Sequence, residues 1–91
     1  MVKRAYMYRK GYMVVNTINE MIKIGKRVVT TKTIRIFNNI ESSNRSSVNL
    51  ISRNLDYLAN REIITLIKDI PLKMYKLPKE PIELEVTQQN G

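Results

Sequence analysis

The stretch Ser46-Ser47-Val48-Asn49-Leu50-Ile51-Ser52-Arg53-Asn54-Leu55-Asp56-Tyr57-Leu58-Ala59-Asn60 decides the fold. Val48, Ile51, Leu55 and Leu58 fall at i, i+3, i+7 and i+10, which places them in one apolar stripe on a helix of 3.6 residues per turn. Ser46 or Ser47 supplies a hydroxyl that can cap its start. At 100° per residue the opposite face carries Ser46, Asn49, Leu50, Arg53, Tyr57 and Asn60, and the segment's single acid is Asp56. Asn pairs bidentately with adenine, Arg with guanine, Ser with phosphate or a base edge, and Leu50 can meet a thymine methyl. A generic exposed helix carries Glu and Lys there, so this face reads as a DNA contact, with a merely solvated face as the competing reading.

Upstream of it, Glu41-Ser42-Ser43-Asn44-Arg45-Ser46 is the richest turn signal in the chain. From Thr31 to Ile40, Ile34, Phe37 and Ile40 recur every three positions with Ile36 beside them, which predicts a second helix capped by Thr30 or Thr31. Arg27-Val28-Val29 is short and β-branched and predicts a small strand. Thr17-Ile18-Asn19-Glu20 has the form of a capping box, so a first helix is expected to start at Thr17, with Met13 to Asn16 a possible earlier turn. Its stripe is Ile18, Met21, Ile22 and Gly25, and Gly25 provides a left-handed stop.

Downstream, Asn60 is expected to close the long helix in the left-handed conformation. Glu62-Ile63-Ile64-Thr65-Leu66-Ile67-Lys68 then reads as a strand, Asp69-Ile70-Pro71-Leu72 as a turn, and Lys73-Met74-Tyr75-Lys76-Leu77 as the returning strand stopped by Pro78. Lys68 and Lys73 flank the tip of that hairpin.

The 91 residues suffice for one domain with a small core. Sixteen Lys and Arg against eight Asp and Glu leave a net charge of +8, which favours an anionic partner. Residues 1–77 hold 15 of the 16 basic residues and five of the eight acids, a net +10, whereas residues 78–91 carry −2. With no Cys and no His, disulfides, thiolate nucleophiles, Cys/His zinc sites and histidine-based triads are excluded. The carboxylates before residue 78 are scattered singly, and no Gly-rich phosphate loop or metal-ligand spacing occurs. No enzyme activity, cofactor or metal is therefore expected. No apolar run approaches the ~20 residues of a membrane span, so the expectation is a cytoplasmic, DNA-associated protein with no membrane partner.

Three parts are expected: a basic, Tyr-rich N-terminal arm (1–16), a helical and hairpin domain (17–77), and an acidic, partly flexible tail (78–91). The arm segment Lys3 to Tyr12 holds four basic residues and three tyrosines. It reads either as an arm that neutralises phosphates while its rings stack or wedge, or as a cover for apolar surface at a subunit contact. In the tail, Pro78-Lys79-Glu80-Pro81 breaks the chain, and Ile82-Glu83-Leu84-Glu85-Val86 alternates apolar and acidic, as in a half-buried strand, a partner-binding segment or a loosely docked tail. Gln88 to Gly91 is expected to fray. RNA binding stays open because Tyr6, Tyr8 and Tyr12 could stack on unpaired bases, although no RNP-like strand is present.

Short strand, helix, Ser-rich turn, helix and hairpin is the order of a winged helix-turn-helix. Leu55-Asp56-Tyr57-Leu58, Arg61-Glu62-Ile63-Ile64 and Lys73-Met74-Tyr75-Lys76-Leu77 resemble that family's recognition-helix end and its two wing strands. The resemblance covers about residues 17–77, with Asn60-Arg61 standing where the family usually has Gly. It implies an α+β fold of three helices and a C-terminal hairpin wing, similar to small archaeal, plasmid and viral regulators of the PadR-like kind. It further implies that the long helix, with Arg45, Ser46, Ser47, Asn49, Leu50, Arg53 and Tyr57, enters the major groove of double-stranded DNA. Lys68 and Lys73 of the wing would meet phosphate or the minor groove, and Thr31, Lys32 and Arg35 would brace the backbone. The expected activity is sequence-specific binding by a homodimeric transcription regulator. The alternative is a plasmid DNA-segregation adaptor that recruits a partition protein through the N-terminal arm or the tail.

Overall fold

The computed structural model describes residues 2–86, so the expected fraying of Gln88 to Gly91 lies outside the described residues. The elements run β1 (Arg4–Met7), a 3-10 turn (Arg9–Gly11), α1 (Tyr12–Lys23), β2 (Val28–Val29), α2 (Thr31–Phe37), α3 (Arg45–Asn60), β3 (Thr65–Lys68), β4 (Met74–Lys76) and β5 (Glu83–Val86). Among the described residues the protein is α+β, with three helices, a three-stranded antiparallel sheet in the order β2-β4-β3, and a parallel pair β1-β5. The longest helix, α3, spans 16 residues, and no helix among the described residues is long and apolar enough to cross a membrane.

Helix α1 starts at Tyr12, five residues before the expected cap, and the 16/17 boundary falls inside it. Its buried register reaches back to Val14 and Val15 and continues through Ile18 and Met21. Burial of those valines outweighs a cap at Thr17. The Thr17 side chain is itself buried, donates to the Met13 carbonyl at 2.7 Å and accepts from Asn38 Nδ2 at 2.8 Å. Glu20 pairs with Lys23 at 3.5 Å instead of folding back on Thr17.

Helix α2 is capped at Thr30, one of the two expected positions, with Thr33 as the reciprocal partner. Thr30 Oγ1 accepts from the Thr33 amide at 3.1 Å, and Thr33 Oγ1 accepts from the Thr30 amide at 3.0 Å. The helix ends at Phe37, three residues before the expected Ile40. Asn38 accounts for the early stop, since its side chain donates to the Ile34 carbonyl and to Thr17, and Asn39 follows at φ 56°. Residues three apart drift around a 3.6-residue helix, so of the expected stripe Ile34 is fully buried and Ile40 partly, while Phe37 is 48% exposed.

Helix α3 is capped by Asn44, whose Oδ1 accepts from the Ser47 amide at 3.2 Å, so the cap lies two or three residues ahead of the expected serines. Ile51, Leu55 and Leu58 are fully buried and Val48 is half-buried. The left-handed residue after α3 is Glu62, at φ 60°, whereas Asn60 stays helical. The Ile63 amide donates to the Leu58 carbonyl at 2.9 Å and the Glu62 amide to Ala59 at 3.0 Å, which brings two core residues together across the helix end. The same pair of bonds closes α1 around Gly25, at φ 85°, and α2 around Asn39.

Closure through Ile63 delays β3 to Thr65, and the turn shortens β4 to Met74–Lys76. In the sheet Tyr75 stands between Val29 and Leu66, and Lys76 between Val28 and Thr65. The Leu77 amide extends the β2 side by donating to the Arg27 carbonyl at 2.8 Å. The core gathers the inner faces of α1, α2 and α3, with Val29, Ile63, Ile64, Tyr75 and Leu77.

Neither terminal segment is loose among the described residues. Strands β1 and β5 pair in parallel from Arg4↔Glu83 to Met7↔Val86, with Ala5 and Met7 turned into the core. Arg4 lies 3.3 Å from Glu83 and 3.5 Å from Glu85. Asn19 on α1 clamps the entry to β5: its Nδ2 donates to the Ile82 carbonyl at 2.9 Å, and its Oδ1 accepts the Ile82 amide at 2.7 Å. Ile82, 3% exposed, is the anchor. Ile82→Ala should therefore destabilise the protein by about 2–4 kcal/mol in urea unfolding; a change under about 0.5 kcal/mol would mean that the tail does not dock on the core.

Candidate nucleic-acid interface

The cap at Asn44 and the buried stripe together rotate α3 so that Arg45, Ser46, Asn49, Arg53 and Asn60 are exposed. Ser47 and Leu50 are half-buried at the edge of this face. No acid lies on it, and Asp56 on its flank is occupied. Lys32, Arg45, Arg53 and Lys68 make no ion pair among the described residues. Their charge is therefore available to solvent or to an anion.

Both flanks of the face are built. On one, Thr31 Oγ1 and Ser52 Oγ share a hydrogen bond at 3.0 Å, which ties the start of α2 to the middle of α3 and leaves Lys32 exposed beside it. On the other, the Tyr57 hydroxyl donates to the Tyr6 carbonyl at 3.0 Å, and the Arg61 guanidinium stands 5.5 Å from the Tyr57 ring centre. This second contact attaches β1 to α3, so residues 4–12 are a folded wall and not a free arm.

The twelve residues selected from sequence thus separate into groups. Lys32, Arg45, Ser46, Asn49, Leu50 and Arg53 lie along α3 and the adjoining start of α2. Arg35 turns away to donate to the Ile40 carbonyl at 2.9 Å, which holds the loop into α3. Thr31 and Tyr57 position neighbouring segments, and Ser47 receives the cap. Lys68 is exposed on β3. Lys73 is engaged elsewhere, with its Nζ 3.2 Å from Asp56 Oδ1 and 3.3 Å from Oδ2.

That carboxylate joins the hairpin to α3. Tyr75, 1% exposed, donates its hydroxyl to Asp56 Oδ1. A buried hydroxyl needs an acceptor, and Asp56 supplies a charged one. The Tyr75 hydrogen bond holds the Asp56 carboxyl below its usual 3.8, against partial desolvation and with help from Lys73. Burial, followed by the Asp56 contact, pushes the Tyr75 phenol well above its ordinary 10. Asp56 stands out in the sequence as the single acid of the helix, but its pairing depends on hairpin register, which periodicity does not reveal. The wall formed by Tyr6, Tyr8, Arg9 and Lys10 against α3 was hidden for the same reason, although its basic, aromatic composition was visible.

Among the described residues no group of three or more carboxylate, His or Cys side chains could hold a metal ion. No known protein family, curated protein or solved structure matches the chain.

Because Asp56 is depressed in the fold, its ionised form stabilises the protein above the unfolded carboxylate range, near pH 4, and that contribution disappears as pH falls through the folded value. The side chain is 43% exposed, so solvent screening limits the effect to roughly 1 kcal/mol. Asp56→Asn should be less stable than the parent at neutral pH and approach it near pH 2–3 in urea titrations. An offset that is constant over that range would show that the carboxylate charge contributes nothing.

Proposed function

We propose that the chain is a winged helix-turn-helix protein that binds double-stranded DNA and acts as a small, dimeric, sequence-specific transcription regulator. The observation that carries this reading is the acid-free exposed ribbon Arg45, Ser46, Asn49 and Arg53 on α3, with Lys32 beside it and no ion pair to Lys32, Arg45 or Arg53 among the described residues. The net charge of +8 supplies the long-range attraction. The order α1, β2, α2, α3, β3, β4, with the small strand β2 paired to the returning strand β4, supports the fold half of the proposal.

In this reading α3 enters the major groove. Asn49 and Arg53 offer bidentate pairing to adenine and guanine edges, while Arg45 and Ser46 near the helix start meet phosphate or the outer base edge. Lys32 braces the backbone beside α3. On the hairpin, the phosphate contact falls to Lys68, because Lys73 already neutralises Asp56. Two copies would present two such helices to successive half-sites.

The test is fluorescence anisotropy with a labelled duplex from upstream of the protein's own gene, a random duplex and the matched single strand, each titrated over salt. The upstream duplex should bind best, with affinity falling by about 0.9 in log–log slope per phosphate contacted. Asn49→Ala should lose about 1–3 kcal/mol on the preferred duplex and much less on the random one. Lys32→Ala should weaken both alike and lower the salt slope by about 1. Equal losses for Asn49→Ala on both duplexes would argue against base reading, and absence of duplex binding at low salt would overturn the proposal.

A further inference from the structure

Between the N-terminal wall and α3 lies an open groove of about 1140 Å³. Tyr6, Tyr8, Arg9 and Lys10 line one side, and Arg53 and Tyr57 the other. Met7, Gly11, Tyr12, Leu50 and Asn54 complete the lining, which holds four tyrosines, three cations and no acid. Tyr6 and Tyr8 are 58% and 57% exposed as residues, although each belongs to or adjoins an ordered element. Neither Arg9, Lys10 nor Arg53 has an ion-pair partner among the described residues.

The groove is held open by specific contacts. Tyr57 fixes β1 through the Tyr6 carbonyl, and the Gly11 amide donates to the Tyr8 carbonyl at 2.8 Å to form the tight turn that presents Arg9 and Lys10. Gly11 is buried against α3 so closely that a Cβ there would stand 2.7 Å from Asn54 Oδ1 and 2.6 Å from Met7 Cε. A second cavity, on the hairpin side of α3, differs in kind. It is lined by Lys3, Asp56, Glu62 and Lys73, where acids offset the cations and no aromatic ring is present.

We propose that this groove binds an unpaired nucleotide unit, a planar base carrying phosphate, by stacking the base on the exposed tyrosines and holding the phosphate with Arg9, Lys10 and Arg53. Stacking platforms beside a line of cations are the chemistry by which proteins hold single strands irrespective of sequence. An acidic peptide would use the cations and leave the rings idle, so the four tyrosines favour a base. The volume exceeds that of a typical small-ligand pocket and leaves room for more than one nucleotide. The unit has two sources: a free mononucleotide, or an unpaired stretch of a nucleic-acid strand. The site goes beyond duplex reading by α3 and shares with that face only Arg53 and, in its lining, Leu50.

The chain has no Trp, and four of its five tyrosines line the groove, so intrinsic tyrosine emission reports on it directly. A ten-nucleotide mixed-sequence DNA strand, adenosine monophosphate and a polyglutamate peptide would each be titrated against the whole chain. The strand should quench the emission, Tyr8→Ala should weaken it about tenfold, and Tyr8→Phe should stay within about threefold of the parent. Arg9→Ala should lower the log–log salt slope by about 0.7, the increment for one single-strand phosphate. If adenosine monophosphate binds as tightly as the strand and displaces it, the free nucleotide is the ligand; if it does not, the strand is. Failure of the strand to quench, Tyr8→Ala indistinguishable from the parent, or polyglutamate binding as tightly as the strand would each overturn the proposal. A failed duplex experiment with Asn49→Ala would leave this outcome untouched, since Asn49 does not line the groove.

Discussion

Tyr75 belongs at once to the sheet and to the helix that the sheet supports. It occupies β4, the middle strand, between Val29 and Leu66, and its ring fills the core while its hydroxyl reaches Asp56 on α3. Burying a phenol without an acceptor is costly, so the hairpin can seat on α3 only in a register that brings the hydroxyl to the carboxylate. Lys73, from the same hairpin, adds a second bond to that carboxylate. The β2 and β3 pairings follow, because both strands align on β4. With the sheet set against that flank, the exposed face of α3 is directed away from the core.

The other flank of α3 is set by the chain's beginning and end together. Residues 4–7 would have no reason to lie along α3 alone, but they pair with residues 83–86, and Ile82 is anchored by Asn19 and by burial. Tyr57 then joins this ribbon to α3. A basic, aromatic segment that would otherwise sample many conformations is presented as a fixed wall. Ordering the rings and cations in advance lowers the entropy lost when something binds between them.

The features legible in the sequence were those with a short physical range. The apolar spacing of Ile51, Leu55 and Leu58, the turn at Gly25, the capping role of Thr30 and the two hairpin strands all depend on residues within a few positions of one another. The misreadings arose where a distant partner decided between local options. Thr17 matches a capping pattern but is buried mid-helix, because Val14 and Val15 extend the core register and Asn38 donates to its hydroxyl. Asn60 is a reasonable left-handed residue, yet Glu62 takes that conformation because Ile63 must return to Leu58. Lys73 reads locally as a free wing cation, whereas the fold brings Asp56 to it. Of the candidate site, the α3 face was readable from periodicity, whereas its division into an open ribbon and a groove shared with the N-terminal wall depends on contacts across about fifty residues, such as Tyr57 with Tyr6.

In the proposed function, the exposed ribbon of α3 is the surface that meets duplex DNA. The most direct measurement is a titration of isotope-labelled protein with a short duplex, followed through backbone amide and Asn and Arg side-chain resonances. Duplex binding through α3 should produce the largest changes on Arg45, Ser46, Asn49 and Arg53, with smaller ones at Lys32 and Lys68, while Tyr75 and Asp56 hold their positions. Changes confined to the hairpin tip at Ile70 and Leu72, or none at all along α3, would contradict it.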